Sequence, residues 1–337
     1  MTQELQTLAV IDPEIDALVQ TGRFNWTVDL SQPDKAIQHL RAFLKQQPVP
    51  APDRAVKEWT TSYETQDGTE LSLYVFAPAS SAPPPLPFLP LLVWYHGGGG
   101  CIGSPELTAP FCRDIVRTHA CVVVAPEYRL GPEHKYPTGV YDSWAALQHV
   151  AARAAEYGAD PASSFLVGGE SNGGVNAAVL TLLARDNNLS PPLTGVFLSA
   201  ASFIPPDDVP DRYRQAYLSR MDPACLDAPG LNRDVKQLFD ICYAGDYSSP
   251  LFRTILWPTG WKGHPRTYFQ SCGLDINRDD SFIYRDVLRE NGTETKLDVY
   301  PGCTHCFWGM FGMISQARKW KVDTQRGIAW LLRREAH

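Results

Sequence analysis

Nowhere in the 337 residues is there an uncharged apolar run of the roughly 18 residues that a bilayer span needs, so membrane insertion is not expected. Cationic charge is scarce too. Thirty Lys and Arg face 37 Asp and Glu, a formal net charge of −7, which removes the usual reason to expect binding to nucleic acid or anionic membranes. The opening Met1-Thr2-Gln3-Glu4-Leu5 has no basic start and no following apolar block, so no secretory signal is expected, and a cytoplasmic address follows. There is no internal repeat. The eight cysteines are scattered through strand-like, helix-like and loop segments, and without a signal they read as free thiols, not a disulfide framework. Cys303-x-x-Cys306 has no second Cys/His pair at similar spacing, so neither a metal nor any other cofactor is expected.

What is present suits a large α/β enzyme, with 44% hydrophobic and 20% charged residues in a chain long enough for one big domain carrying an inserted subdomain. Helix-like pieces at 13–20 and 33–46 precede two alternating runs, 57–65 and 70–77, joined across Asp67-Gly68 as a hairpin. After the Pro-rich connector 82–90 come continuous apolar strands at 89–95, 121–125, 165–168, 195–199, 267–272 and 296–300. Amphipathic helices at 107–119, 137–157, 172–185, 280–291 and 323–334 separate them, which implies a mostly parallel sheet covered on both faces. The interruption 203–263, with helix-like stretches near 210–219 and 231–244, is too long for a plain loop and reads as a lid or substrate cap. The chain thus divides into N-terminal cap helices (1–55), a core (56–202 and 264–337) and a cap insertion (203–263).

Three constellations carry chemistry. Gly169-Glu170-Ser171-Asn172-Gly173 follows the apolar run 165–168 where a strand must turn sharply into a helix. Its glycines allow close strand–helix packing while the Ser171 hydroxyl stands clear, at the positive end of the helix. His96-Gly97-Gly98-Gly99-Gly100 follows the strand 91–95, and such a run turns bare N–H groups toward one point. In acyl transfer that point is the oxyanion, where one donor is worth about 2.7–4 kcal/mol. Finally, Asp275 and His305 stand just past the last two strands, at the edge where open α/β sheets place their sites. The order Ser…Asp…His makes His305 the base for Ser171 and Asp275 the group that orients it. Among competing acids, Asp279 and Asp280 read as the cap of the following helix and Asp298 as a solvent-facing strand residue. His119 and His149 fall in helices, His134 in a polar turn and His264 in the cap, and none follows a late strand.

At these residues the chain resembles the hormone-sensitive-lipase-like branch of the α/β-hydrolase fold, which includes microbial carboxylesterases and fungal biosynthetic-cluster esterases of secondary metabolism. The resemblance runs from about Val56 to the C-terminus, through His96–Gly99, Tyr128-Arg129-Leu130-Gly131-Pro132-Glu133-His134 with Tyr136-Pro137, Gly169–Gly174, Gly273-Leu274-Asp275 and His305-Cys306-Phe307. It implies Ser171 as nucleophile, Asp275 as acid, His305 as base, and an oxyanion hole from the N–H groups of Gly98, Gly99 and Asn172. It also implies that His96 and Gly97 support the glycine loop. Asn172 stands where the family usually has Ala, Glu170 where it usually has Asp, and Ile276-Asn277 replace the usual Pro and Leu.

An aromatic pocket lining is expected from Phe24, Trp26, Trp257, Trp261, Phe307 and Trp308. The expected function is a serine carboxylesterase, cleaving short-acyl esters or lactones of a bulky apolar small molecule through an acyl-enzyme. One rival uses the same scaffold for lyase, cyclisation or acyl-transfer chemistry on a secondary metabolite. A second rival, a non-catalytic small-molecule sensor, is opposed by the intact Ser171, Asp275 and His305. Self-association as a homodimer is left open.

Overall fold

The computed structural model describes residues 2–22, 27–48, 50–79, 89–207 and 209–334. Three N-terminal helices, α1 (Thr2–Thr7), α2 (Pro13–Val19) and α3 (Pro33–Lys45), lead into the hairpin β1 (Val56–Glu64) and β2 (Glu70–Pro78). Strands and helices then alternate: β3 (Leu91–Tyr95), α4 (Ala109–His119), β4 (Val122–Pro126), α5 (Thr138–Arg153), β5 (Phe165–Glu170), α6 (Asn172–Asp186) and β6 (Gly195–Ser199). The long connection after β6 holds α7 (Pro223–Leu226) and α8 (Arg233–Tyr243) before β7 (Arg266–Leu274), α9 (Arg278–Glu290), β8 (Thr295–Thr304), α10 (Phe307–Met310) and α11 (Ser315–Leu331).

The eight strands form one sheet in the order β1-β2-β4-β3-β5-β6-β7-β8, with β1 and β2 antiparallel and β3 to β8 parallel. In β3, Leu91, Val93 and Tyr95 join the core under α5 and α6, while Leu92 and Trp94 join the core under α4 and α11. A strand buried on both faces cannot alternate polar and apolar residues, which is why these read as unbroken apolar runs. From β3 the chain moves to β4 on one side and returns to β5 on the other. That reversal opens a crevice at the C-terminal ends of β3 and β5, where Tyr95 pairs with Gly169.

Three local expectations are corrected. The last helix begins at Ser315, eight residues earlier than its hydrophobic pattern suggested. Its buried stripe runs through Ala317, Asp323, Thr324 and Gly327 before reaching Ile328, so small and polar residues hide the period. Gly327 is needed there because a Cβ would lie 2.0 Å from the Tyr268 ring. Asp298 is half-buried and accepts the Tyr268 hydroxyl at 2.8 Å; it does not face solvent.

Asp279 and Asp280 do not cap α9. Asn277 occupies that position, and both carboxylates are buried, reaching sideways to the β6–β7 connection. Asp280 Oδ1 accepts the N–H groups of Phe203 (2.7 Å) and Ile204 (3.0 Å) and the Ser202 hydroxyl (3.1 Å), while Oδ2 accepts the Tyr217 hydroxyl (3.1 Å). Asp279 Oδ2 accepts the N–H groups of Leu218 and Ser219, both at 2.7 Å. These partners lie 60 to 78 residues away in sequence, beyond the reach of any local capping pattern.

Candidate active site

Ser171 sits between β5 and α6 at φ 51° and ψ −122°, a backbone conformation that costs a non-glycine residue of order 1–3 kcal/mol. Close packing holds it there. A Cβ on Gly169 would lie 2.3 Å from the Gly173 carbonyl carbon, and one on Gly173 would lie 2.1 Å from the Tyr95 carbonyl oxygen. The Ser171 N–H donates to Ser199 O at 2.8 Å, tying the turn to β6.

His305 follows β8 directly and Asp275 follows β7, so two adjacent strand ends deliver them to the same edge. His305 Nε2 is 2.8 Å from Ser171 Oγ, and His305 Nδ1 is 2.7 Å from Asp275 Oδ2. Asp275 is buried, and its second oxygen accepts the Asn277 N–H at 2.9 Å. With the proton on Nδ1, the imidazole donates to Asp275 and leaves Nε2 free to accept the serine proton.

The glycine loop lies against this turn, since a Cβ on Gly97 would meet Ser171 Cβ at 3.2 Å. Gly98, Gly99 and Gly100 have φ of 118°, 61° and 72°, which only glycine adopts without strain. Among the described residues, no hydrogen bond occupies the N–H of Gly98, Gly99 or Asn172. His96 braces the loop from behind. Its ring stacks on Tyr128 at 4.4 Å, and burial pushes its pKa down to about 4, so the neutral ring can donate from Nδ1 to Gly97 O at 2.7 Å.

The expected aromatic lining lies elsewhere for the most part. Trp257 donates its indole N–H to Asp186 at 2.8 Å and packs with Val179 and Leu182. Asp186 ends α6 and Ser171 precedes it, so about 22 Å of helix separates Trp257 from the serine. Trp261 donates to Thr254 O at 3.0 Å and packs against the same cluster. Phe307 is fully buried in the core with Tyr300, not in a pocket wall. Trp308 is beside the site without lining the cavity: it stacks on Trp320 at 4.8 Å and donates to Glu170 at 3.0 Å. Burial pushes the Glu170 carboxyl up, while Trp308, His305 and the Gly97 N–H pull it the other way. Phe24 and Trp26 lie outside the described residues.

The cavity at Ser171, about 60 Å³, is instead walled by Asn172, Leu231, Phe239, Tyr243, Phe252 and Arg253. Phe239 and Tyr243 are one helical turn apart on α8 and cover the glycine loop, where a Cβ on Gly99 or Gly100 would come within 2.4 Å of their rings. The i, i+4 spacing of these two aromatics in the amphipathic run 231–244 was the available signal. The Asn172 amide is buried and faces the Tyr128 and Tyr243 hydroxyls without closing a hydrogen bond of good geometry.

Cys303 and Cys306 are free thiols, and burial pushes both up from the ordinary thiol range. Among the described residues, no group of three or more His, Cys, Asp or Glu side chains could hold a metal ion. Activity is therefore expected to be unchanged after EDTA dialysis and similar with or without dithiothreitol, measured as initial rates on p-nitrophenyl acetate. Stoichiometric zinc whose removal abolishes activity would contradict this.

A mostly parallel sheet with a strained serine at the end of β5 and an aspartate–histidine pair at the ends of β7 and β8 defines a hydrolase of the α/β class. The chain belongs to that family: the model described as alpha/beta hydrolase fold matches residues 92–309. A carboxylesterase of Mycobacterium tuberculosis, NlhH, is 32% identical over 342 residues and 99% of both chains. The versiconal hemiacetal acetate esterase of Dothistroma septosporum is 30% identical over 244 residues, 72% of this chain and 74% of that one. Among solved structures, vibralactone cyclase superposes with a TM-score of 0.82 at 29% identity, covering 97% of this chain and 96% of its own. The chain is a carboxylester hydrolase of the hormone-sensitive-lipase-like branch. Among the described residues, no helix is long and apolar enough to cross a membrane.

Proposed function

We propose that Ser171, His305 and Asp275 act as one catalytic unit in a serine carboxylesterase for short-acyl esters or lactones. The observation that carries this is the continuous hydrogen-bonded chain from Ser171 Oγ through both nitrogens of His305 to Asp275. In this reading Ser171 attacks the acyl carbon as His305 takes its proton, and Asp275 stabilises the imidazolium. The N–H groups of Gly98, Gly99 and Asn172 receive the oxyanion. His305 then returns the proton to the departing alkoxide, and a water activated by the same imidazole releases the acid. Residues 1–55 and 203–263 act as a cap over the core formed by 56–202 and 264–337. The unpaired state of the eight cysteines supports a cytoplasmic address. Stoichiometric labelling of Ser171 by a fluorophosphonate probe tests the assignment, and a folded protein that does not label would sink it.

The small cavity, the buried Asn172 amide beside Ser171 and the rings of Phe239 and Phe252 support a short acyl group. The relative whose name specifies an acetate ester agrees with it. Trp257 and Trp261 are away from the site and give a bulky apolar alcohol no support, while Phe24 and Trp26, on which that expectation also rested, lie outside the described residues. Across C2 to C12 p-nitrophenyl esters, kcat/KM is expected to peak at or below C6 and to fall by C10, in graded steps of about 1–3 kcal/mol or less per methylene. Asn172→Ala is expected to move the optimum toward longer chains. A wild-type optimum at C10 or beyond would refute the short-acyl reading.

The likeness to vibralactone cyclase favours cyclisation as a second reading. Turnover in ¹⁸O-water separates the two: hydrolysis places one ¹⁸O in the product acid, whereas cyclisation places none.

A further inference from the structure

The cavity beside Ser171 contains a cation with no counter-ion. Arg253 is 1% exposed and lines the same small space as Ser171, Gly99 and Asn172. Its Nη1 donates to Phe252 O at 2.7 Å, and the guanidinium lies over the rings of Phe252 (3.7 Å) and Tyr247 (4.4 Å), but Nε has no partner. The other two buried arginines among the described residues are each paired with an acid, Arg113 with Glu58 and Arg278 with Asp279, both at 2.7 Å.

No carboxylate near the cavity is available to Arg253. Asp240 is held by Lys236 and by the Tyr247 hydroxyl (2.8 Å). Asp280 is occupied by Phe203, Ile204, Ser202, Tyr217 and Arg220. Burial drives the Arg253 pKa down and the nearby Arg220 adds to it, while Tyr247, the already occupied Asp280 and Tyr217 oppose it without pairing with the guanidinium. Two aromatic faces and one carbonyl offset only part of that desolvation. A planar fork with an unpartnered N–H at the wall of a small pocket is the geometry that recognises a carboxylate.

We propose that Arg253 binds a carboxylate carried by the substrate a few bonds from the scissile carbonyl, so that the enzyme selects anionic esters. The inference rests on the esterase reading above and adds the substrate's charge to it. The cavity's small volume limits the separation between the two carbonyl carbons to a short linker. The carboxylate can belong to the acyl group or to the leaving alcohol, and the test distinguishes them.

Two isosteric pairs serve as probes: monoethyl succinate against ethyl 4-methylpentanoate, and 3-acetoxypropanoate against isopentyl acetate. The first places the charge on the acyl side and the second on the alcohol side. In the wild type, the anionic member of one pair is expected to exceed its neutral isostere in kcat/KM by about tenfold or more. Arg253→Met should reverse that ratio, and Arg253→Lys should restore part of it. If the neutral member equals or beats the anionic one in both wild-type pairs while p-nitrophenyl acetate is still cleaved, the inference is overturned and the esterase reading stands. The wild-type ratios decide this even if the variants fail to fold. Absence of hydrolysis of every ester, together with no fluorophosphonate labelling, overturns both.

Discussion

Ser171→Ala and His305→Ala are each expected to lower kcat on p-nitrophenyl acetate by about 10⁴- to 10⁶-fold, with KM changing little. A serine hydroxyl cannot attack at neutral pH unless a base takes its proton, and His305 Nε2, 2.8 Å away, is positioned to do so. The base in turn needs Asp275, 2.7 Å from its other nitrogen, to hold the ring and its charge. Because each group works only through the others, the double variant should lose little beyond either single one, leaving the residual rate that the oxyanion site supplies. Asp275→Asn should fall by a smaller factor, about 10⁴, since it preserves shape but favours the wrong imidazole tautomer. Steady-state kinetics on the three single variants and the double variant check this. Multiplicative losses, or a Ser171→Ala enzyme with more than a few per cent of wild-type activity, would remove the triad assignment.

Asp280→Ala is expected to destabilise the protein by about 3–5 kcal/mol, the usual result of removing one partner from a buried charged network. The carboxylate is fully buried, accepts two backbone N–H groups and two hydroxyls, and lies 3.4 Å from the Arg220 guanidinium. Its loss leaves the two backbone N–H groups and the two hydroxyl protons without their acceptor and Arg220 without its carboxylate, although Arg220 keeps Tyr217, Ser202 and Asn277 as partners. With an unfolding entropy of about 2.1 cal/mol/K per residue, that is a fall of about 4–7 °C in Tm for this length of chain. Asp280→Asn keeps an acceptor for Phe203 and Ile204 and should lose roughly half as much. Ser202 and Asn277 border both this network and the cavity, so KM for short esters should rise while kcat changes less. Calorimetry and kinetics on the two variants test this, and a Tm within 1 °C of wild type for Asp280→Ala would mean the tether carries no stability.

The sequence by itself determined the sheet and its chemical edge. Gly169–Gly173, His96–Gly100, Asp275 and His305 were legible because each sits at a strand end, where a local apolar run followed by a turn sets the backbone's position. Family membership followed from those same short segments, and the comparisons agree with it. What the residues around the site do was decided by the tertiary structure. Asp279 and Asp280 look like a helix cap in sequence, yet they hold a segment some 60 to 78 residues away. Trp257 and Trp261 belong to the right insertion but pack at the far end of α6. Phe239, Tyr243 and Arg253 reach the serine because the β6–β7 connection folds back over the glycine loop. Periodicity reports which face of an element is buried, not which distant element buries it. Pocket walls and buried charges are therefore settled by long-range packing, while a nucleophile on a strand-to-helix turn is settled by its immediate neighbours.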